Sequence, residues 1–469
     1  MPASPPPPPP QQPRYGSAPA PGGEGTPVLC GARLADGRTV DVRLGGGRIL
    51  AVGTAGSLAG EAGGCGARVE LGGYLLLPAP AEPHAHFDTA LTAAAPGPAD
   101  APGASRASGV SGASAASAAD VQRRAVEAAL LQLGHGATAL RTHVRIGDGA
   151  GSGGPGGSGA LDALGAVLAA RAALRGLADV AVVAAPRVLT GVAGAGGRAL
   201  LHDAVAMGAT ALGGRPDLDP DPDGFTETVL RVAAEYGCAV DLHCDGADPA
   251  RLDRVAAMAG ELRGGAGVAV GPCGGLARVP YETAVGVAER LAGAGVSVVC
   301  LPQGDCVGVR RGAGHGDGAV AGGAGAGGAG ARAFSYAPVE LLRAAGVRVA
   351  AGSGAVRDAA NPVGRGDPLQ SAYLLAAARA TGPAAAYDAV AGQARAVLGL
   401  PEVRVEAGFP AELLAVRGDS VAGALSLGYS RIVIHRGRVV ARTSAVREYC
   451  DSVAAELDLP RQGLRRTAG

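Results

Sequence analysis

Short apolar runs alternate with longer stretches rich in Ala, Leu and Arg through the middle of the chain. The runs have the length of buried strands, and several of the longer stretches end at glycine, as helices often do. The apolar runs lie at residues 137–141, 180–183, 239–242, 268–270, 296–299 and 347–350, and the helix-like stretches at 119–134, 160–176, 225–237 and 281–293. Repeated helix-to-strand units predict a parallel sheet. A (β/α)8 TIM barrel fits a region of about 320 residues, and a doubly wound open sheet is the alternative that periodicity leaves open.

Alternating apolar and polar residues at both ends of the chain predict a second, smaller domain. Residues 39–52 alternate around a Gly45-Gly46-Gly47 turn, and residues 411–416 and 430–440 alternate in the same way. We therefore expect a small β-sandwich domain built from residues 27–77 and 399–445, with the barrel at 78–398. Gly/Ala-rich insertions at 93–119, 147–159 and 312–330 are predicted to be barrel loops, and 1–26 and 446–469 to be tails. The first tail is expected to be disordered because it is rich in proline and glycine.

Composition excludes several classes of function. The 469 residues include 41 basic and 41 acidic side chains, so the chain lacks the basic surface of a nucleic-acid-binding protein. No apolar run is long enough to span a bilayer, and the start of the chain lacks the pattern of a signal peptide, so we expect a cytoplasmic protein without a membrane partner. The absence of lysine excludes a Schiff-base lysine and a carbamylated lysine that bridges two metal ions. Eight scattered cysteines without a CxxC pair argue against structural zinc and a disulfide framework.

A pair of histidines carries the first sign of chemistry. His84 and His86 are separated by Ala85, so on a strand both imidazoles point to the same face. Two adjacent imidazoles form half of a site for a divalent metal ion. A bare pair of this kind is more often two polar loop residues. Here the pair follows an apolar strand at residues 74–78, where the small domain gives way to the barrel, and this context favours a metal site.

Four segments, taken together in order and spacing, resemble the amidohydrolase superfamily, and in particular its cytosine deaminase-like branch. They are residues 82–89 with the histidine pair, 141–144, 241–245 and 351–358. The flanking β segments match as well, so the resemblance covers roughly residues 28–443. It implies a metal-dependent hydrolase with one divalent ion, zinc or iron, that breaks a C–N bond in a small nitrogen heterocycle or cyclic amide. A homo-oligomer is compatible with it.

The resemblance also implies roles for individual residues. The implied metal site consists of His84, His86 and His243. In the family the ion lowers the pKa of its bound water, so that hydroxide attacks a ring carbon at neutral pH. Arg187, at the family's substrate-reading position, is a candidate substrate-binding residue, although a lone arginine is more often a surface or ion-pair residue. His143, at a predicted strand end that faces the proposed site, is a second candidate, and its position leaves a pocket-lining and a structural role equally open. Asp245 shares a strand face with His243 and is the best surviving acid, with the orientation of an imidazole as its expected role.

Three positions depart from the family's pattern. The family's glutamate after the fifth strand, histidine on the sixth and aspartate on the eighth correspond here to Gly246, Pro272 and Gly354. Glycine offers neither a ligand nor a proton, and proline has no polar side-chain atom. The sequence therefore leaves two hypotheses. One is a working hydrolase with an eroded site, and the other is a catalytically inactive relative that serves as a binding or interaction protein.

Overall fold

The computed structural model describes residues 25–58, 66–93, 117–147, 159–261, 267–304 and 337–445. The predicted tails at 1–26 and 446–469 lie almost wholly outside the described residues, as do most of the three predicted loop insertions. Among the described helices, none is both long and apolar enough to cross a membrane.

Eight parallel strands form the central sheet, and they are neighbours in the order in which they occur along the chain. They are β6 (Ala81–Ala85), β7 (Ala139–Ile146), β8 (Asp179–Pro186), β9 (Ala211–Gly214), β10 (Ala239–Cys244), β11 (Val268–Pro272), β12 (Ser297–Cys300) and β13 (Val349–Ala351). The first and last strands meet where Ala85 forms a parallel bridge with Gly354, and the Gly354 N–H donates to the carbonyl oxygen of His84 at 3.1 Å. The predicted (β/α)8 barrel is therefore confirmed.

Helices cover the outside of the barrel. They are α1 (Ala118–Gly134), α2 (Asp162–Ala173), α3 (Gly197–Met207), α4 (Pro222–Tyr236), α5 (Pro249–Glu261), α6 (Tyr281–Gly293), α7 (Val339–Ala344), α8 (Pro368–Ala377), α9 (Pro383–Val390) and α10 (Gly392–Val397). Gly237 closes α4 as the pattern predicts, with a φ of 66°. The helix α3, which the pattern did not predict, ends in the same way at Gly208 with a φ of 117°. The buried faces of the helices pack against the strands in one continuous apolar cluster.

The strand β9 has no counterpart in the predicted pattern. It is four residues long, and two of them are glycines, so it carries little strand signal. Gly213 is needed here because a Cβ atom would overlap the carbonyl oxygen of Asp241 on the next strand.

The two ends of the chain form the second sheet. Its strands are β1 (Gly25–Arg33), β2 (Thr39–Gly45), β3 (Arg48–Thr54), β4 (Gly66–Glu70), β5 (Tyr74–Pro78), β14 (Leu413–Arg417), β15 (Arg431–His435) and β16 (Arg438–Thr443), and a short helix, α11 (Val421–Leu427), follows β14. β5 pairs antiparallel with β14, with Leu77 opposite Leu414, so the N- and C-terminal segments are joined directly. A separate apolar cluster on this sheet includes Leu29, Leu76 and Ile434. The predicted β domain assembled from both termini is confirmed, and its strands form one mixed sheet.

Helix α4 offers a test of the local stability of the barrel. The side chain of Asp221 caps the helix by accepting from the Gly224 N–H at 3.0 Å. We expect Asp221→Ala to lower the free energy of unfolding by about 0.5–2 kcal/mol, the usual effect of losing such a cap. Urea denaturation measures the change. Glu227→Ala on the same helix is the matched control, because its exposed pair with Arg231 is worth only about 0.3–0.5 kcal/mol, and an equal loss from both variants would contradict the capping role.

Candidate metal centre

Three imidazoles converge inside the barrel. His84 lies on β6, His86 follows directly after that strand, and His243 lies on β10. The Nε2 atom of His243 lies 2.9 Å from that of His84 and 3.3 Å from that of His86. His84 and His243 are buried, and His86 is half-buried. The three residues thus point one ligand atom each at a shared space.

The geometry and chemistry of this group fit a divalent cation. With metal–nitrogen bonds of about 2.05 Å, two nitrogen ligands lie about 2.9 Å apart at a right angle and about 3.3 Å apart at a tetrahedral angle. The observed separations match these values. Burial lowers the pKa of His84 and of His86 to about 4, and it holds the pKa of His243 well below its ordinary value. The imidazoles are therefore neutral at physiological pH, the form in which histidine binds a metal ion.

A carboxylate fixes the strand that carries the histidine pair. Glu82 on β6 accepts hydrogen bonds from the backbone N–H of His84 at 3.0 Å and of Ser353 at 2.8 Å, and also from the Ser353 hydroxyl. These bonds join β6 to the segment after β13, where the barrel closes. Burial raises the pKa of Glu82 to about 7, although the hydrogen bonds from Ser353 and His84 favour its charged form. Glu82 is a structural contributor to the site that the sequence did not single out.

A second group of polar side chains lies beside the three imidazoles and shares His84 with them. Asp241 on β10 is fully buried, and its Oδ2 atom lies 2.9 Å from His143 Nε2, 3.6 Å from His84 Nδ1 and 2.7 Å from Arg141 Nη2. Burial acts to raise the pKa of Asp241, but Arg141 and His143 outweigh it and hold that pKa well below its usual range. Burial lowers the pKa of His143. The group is thus an ionised carboxylate paired with a guanidinium and two neutral imidazoles.

Sequence reasoning missed Asp241 and Arg141, although a signal was present. Asp241 precedes His243 by two residues, and Arg141 precedes His143 by two. On a strand this spacing puts both members of each pair on one face. Following the strand alternation two residues back from His243 and from His143 would have indicated both residues.

The other candidate residues lie at the carboxyl ends of their strands. Asp245 follows β10 and forms an ion pair with Arg278 at 3.3 Å, with 38% of its side chain exposed. Arg187 follows β8 directly and is exposed. Among the described residues, neither Asp245 nor Arg187 belongs to the groups of convergent ligand atoms. His143, in contrast, lies with its ring centroid 4.2 Å from that of His84.

The three positions that depart from the family's pattern also lie around the site. Pro272 ends β11 opposite Cys244. Gly246 follows β10 with a φ of 80°, and Gly354 follows β13 with a φ of 71°. In the described part of the chain, no carboxylate atom joins the ligand atoms of His84, His86 and His243.

A parallel barrel with a terminal β domain and a histidine cluster inside it defines a class of hydrolases, and comparison with known proteins identifies the class. A model of the amidohydrolase family matches residues 97–441. The chain therefore belongs to the amidohydrolase family, and it resembles the deaminase-like members of that superfamily. The fold is that of an amidohydrolase, and the cluster of histidines and aspartate inside it contains residues able to bind a divalent metal ion.

Three relatives illustrate the similarity. The structure of N-isopropylammelide isopropylaminohydrolase from Burkholderia multivorans has a TM-score of 0.70 and 25% identity, over 90% of this chain and 100% of that one. The structure of 5-methylcytosine deaminase from Klebsiella pneumoniae has a TM-score of 0.71 and 20% identity, over 91% and 100%. A pterin deaminase from Rhizobium rhizogenes is 28% identical over 241 residues, which are 50% of this chain and 52% of the relative. The match thus spans about half the length of the pterin deaminase.

Proposed function

We propose that the protein is a metal-dependent hydrolase that breaks a C–N bond in a small nitrogen heterocycle or cyclic amide. The observation that carries this proposal is the convergence of three neutral Nε2 atoms, from His84, His86 and His243, on one space inside the barrel. Nitrogen ligands of this kind favour zinc or iron over magnesium or calcium. The names of the relatives support the substrate class, because pterin and 5-methylcytosine are both small nitrogen heterocycles.

A divalent ion in this position supplies Lewis acidity and makes water a nucleophile at neutral pH. The chain's own residues bind and orient the substrate. Because ionised Asp241 only accepts hydrogen bonds, the 2.9 Å contact assigns the His143 proton to Nε2. His143 Nδ1 is buried without a hydrogen-bond partner in the described part of the chain, so it is available to accept from a ring N–H or amino group. Arg187 is exposed directly after β8, and we assign it to an electronegative group at the outer edge of the substrate.

The replacements at three positions favour a second candidate function. Gly246, Pro272 and Gly354 carry no group that can donate or accept a proton through its side chain. A chain that keeps the barrel without these groups is able to bind a heterocycle without converting it. Deamination of cytosine itself is expected to be slow for this reason, and Asp245, directly after the strand that bears His243, is the acid that we propose for the remaining activity.

Metal analysis combined with a turnover assay separates the two candidates. We expect the purified protein to contain about one zinc or iron ion per chain, because three protein ligands suffice for a catalytic zinc site. The assay measures release of ammonia or amine from pterin, 5-methylcytosine, cytosine and N-isopropylammelide. Turnover that is lost on chelation and restored by the metal supports the hydrolase. Stoichiometric metal without turnover on any of these compounds favours the binding protein, and a metal-free protein after growth with added zinc and iron contradicts the metal site itself.

A further inference from the structure

Two groups of potential ligand atoms share one histidine. The Nε2 atom of His84 faces His243, and its Nδ1 atom lies on the side of Asp241. The second group, formed by His84, His143 and Asp241, has the residue types of a metal site and is fully buried. Whether this second group can bind a cation depends on the other contacts of the Asp241 carboxylate.

Arg141 excludes a cation from the second group. Its Nη2 atom lies 2.7 Å from Asp241 Oδ2, and only 2% of the Arg141 side chain is exposed. A guanidinium stays protonated in proteins, so a positive charge already compensates this carboxylate. A metal ion at the same oxygen would put two like charges side by side in a buried space. The Asp241 carboxylate therefore interacts with the histidines and does not bind a second metal ion.

We infer that the Arg141–Asp241 pair is a positioning device for the metal centre, which fixes the ring orientation and the tautomer of His84. This inference rests on the metal role proposed for the three histidines. The negative charge on Asp241 favours a proton on the facing Nδ1 of His84, and the 3.6 Å separation makes this an electrostatic effect and not a hydrogen bond. A proton on Nδ1 leaves the Nε2 lone pair of His84 free to face the metal space, as supporting carboxylates do in metal sites.

Arg141 is also attached to the strand that carries the histidine pair. Its Nε atom donates to the carbonyl oxygen of Pro83 at 2.9 Å, directly before His84. Asp241 in turn lies two residues before His243 on the same face of β10. One buried ion pair therefore connects the strands that supply two of the three imidazoles, and it connects both to His143 through the 2.9 Å contact.

The test compares zinc affinity in the wild type and in a variant without the pair. Removing only one partner would leave an uncompensated buried charge and endanger folding, so the variant is Arg141→Met with Asp241→Asn, which removes both charges. We expect its zinc affinity to be about 10–100-fold lower, the usual effect of losing a residue that orients a metal ligand. Competition with a chromophoric chelator measures the affinity, and circular dichroism verifies the fold. Wild-type affinity in the folded variant would overturn the inference.

A matched control comes from the small domain. His435 Nδ1 lies 2.9 Å from Glu412 Oε2, and both residues are buried, so this pair also places a carboxylate beside an imidazole, but away from the three metal histidines. Glu412→Gln is expected to lower stability and leave zinc affinity unchanged. If the wild type binds neither zinc nor iron, the proposed function fails. If the wild type binds zinc and the double variant binds it equally well, only the positioning role fails.

A second measurement is made on the wild type, and it uses a variant only to assign the His84 signal. Nitrogen-15 NMR of histidine-labelled, metal-free protein reports which ring nitrogen carries the proton. We expect His84 to be protonated at Nδ1, with His243 Nε2 as the donor across their 2.9 Å contact. The His84 signal is assigned by its loss in His84→Gln. A proton on Nε2 of His84 would overturn the inference even if the double variant does not fold.

Discussion

Replacement of His243 by alanine is expected to remove metal binding and turnover together. His243 Nε2 lies within 2.9 Å of His84 Nε2 and 3.3 Å of His86 Nε2, so it is the ligand atom that both others approach. Without it, two imidazoles remain, and the described residues offer no carboxylate at the same point. We expect zinc affinity to fall at least about 1,000-fold, which corresponds to roughly 4 kcal/mol.

Elemental analysis and chelator competition measure the effect of His243→Ala, and the amine-release assay measures turnover. His202→Ala is the matched control, because His202 contacts Tyr236 on the outer helices at 2.9 Å and lies outside both groups of ligand atoms. The control should retain metal and activity. Retention of stoichiometric metal by a folded His243→Ala protein would contradict the proposed ligand set, and loss in both variants would point to a general effect on folding.

The fold could be predicted from the sequence because its signals are local. Apolar runs of strand length, stretches that end at glycines such as Gly237, and alternation at both termini each depend on a few neighbouring residues. The strand β9 was not predicted because its strand character comes from its neighbours: β10 passes so close to Gly213 that a side chain would not fit there. A short glycine-containing segment carries no such information in its own residues.

Local spacing predicts only those site residues that repeat along one strand, and His243 was predicted through the family resemblance instead. His84 and His86 signal a shared face by their spacing. The partnership between Arg141 and Asp241 joins two strands about 100 residues apart, and the 2.7 Å contact follows from barrel closure. Glu82 is similar, since its partner Ser353 lies on the far side of the closing seam. Such contacts are set by tertiary structure, and local pattern does not encode them.

The two glycines that replace family carboxylates are not equivalent in the structure. Gly246 has a φ of 80°, and an added Cβ atom would lie 3.3 Å from the side chains of both Leu252 and Leu276. A side chain at this position would point towards these apolar neighbours. The left-handed backbone conformation would also cost an L-residue about 1–2 kcal/mol. We therefore expect that Gly246→Glu alone does not raise the metal affinity. Gly354, after the eighth strand, has a similar φ of 71°, but aspartate tolerates this backbone region better than most residues do, so we test the lost chemistry there.

Gly354→Asp is expected to raise zinc affinity by at least about 100-fold, or roughly 2.7 kcal/mol, by adding an anionic fourth ligand. Gly354 pairs with Ala85, which lies between His84 and His86 in the sequence, and its N–H donates to the His84 carbonyl oxygen at 3.1 Å. Its φ of 71° lies in the left-handed region, where aspartate is among the better-tolerated residues. Chelator competition measures the affinity of the variant and the wild type.

Gly354→Asn separates the carboxylate from the change in shape. Asparagine also tolerates the left-handed region and has nearly the same size, but it brings no charge. We expect its zinc affinity to stay close to that of the wild type, so that the difference between the two variants measures the carboxylate alone. Equal affinities for Gly354→Asp and the wild type would show that the segment after β13 does not occupy the family's ligand position. A gain in affinity with a gain in turnover would mean that the missing acid at this strand end, and not the histidine cluster or its buried supports, limits the activity of the protein.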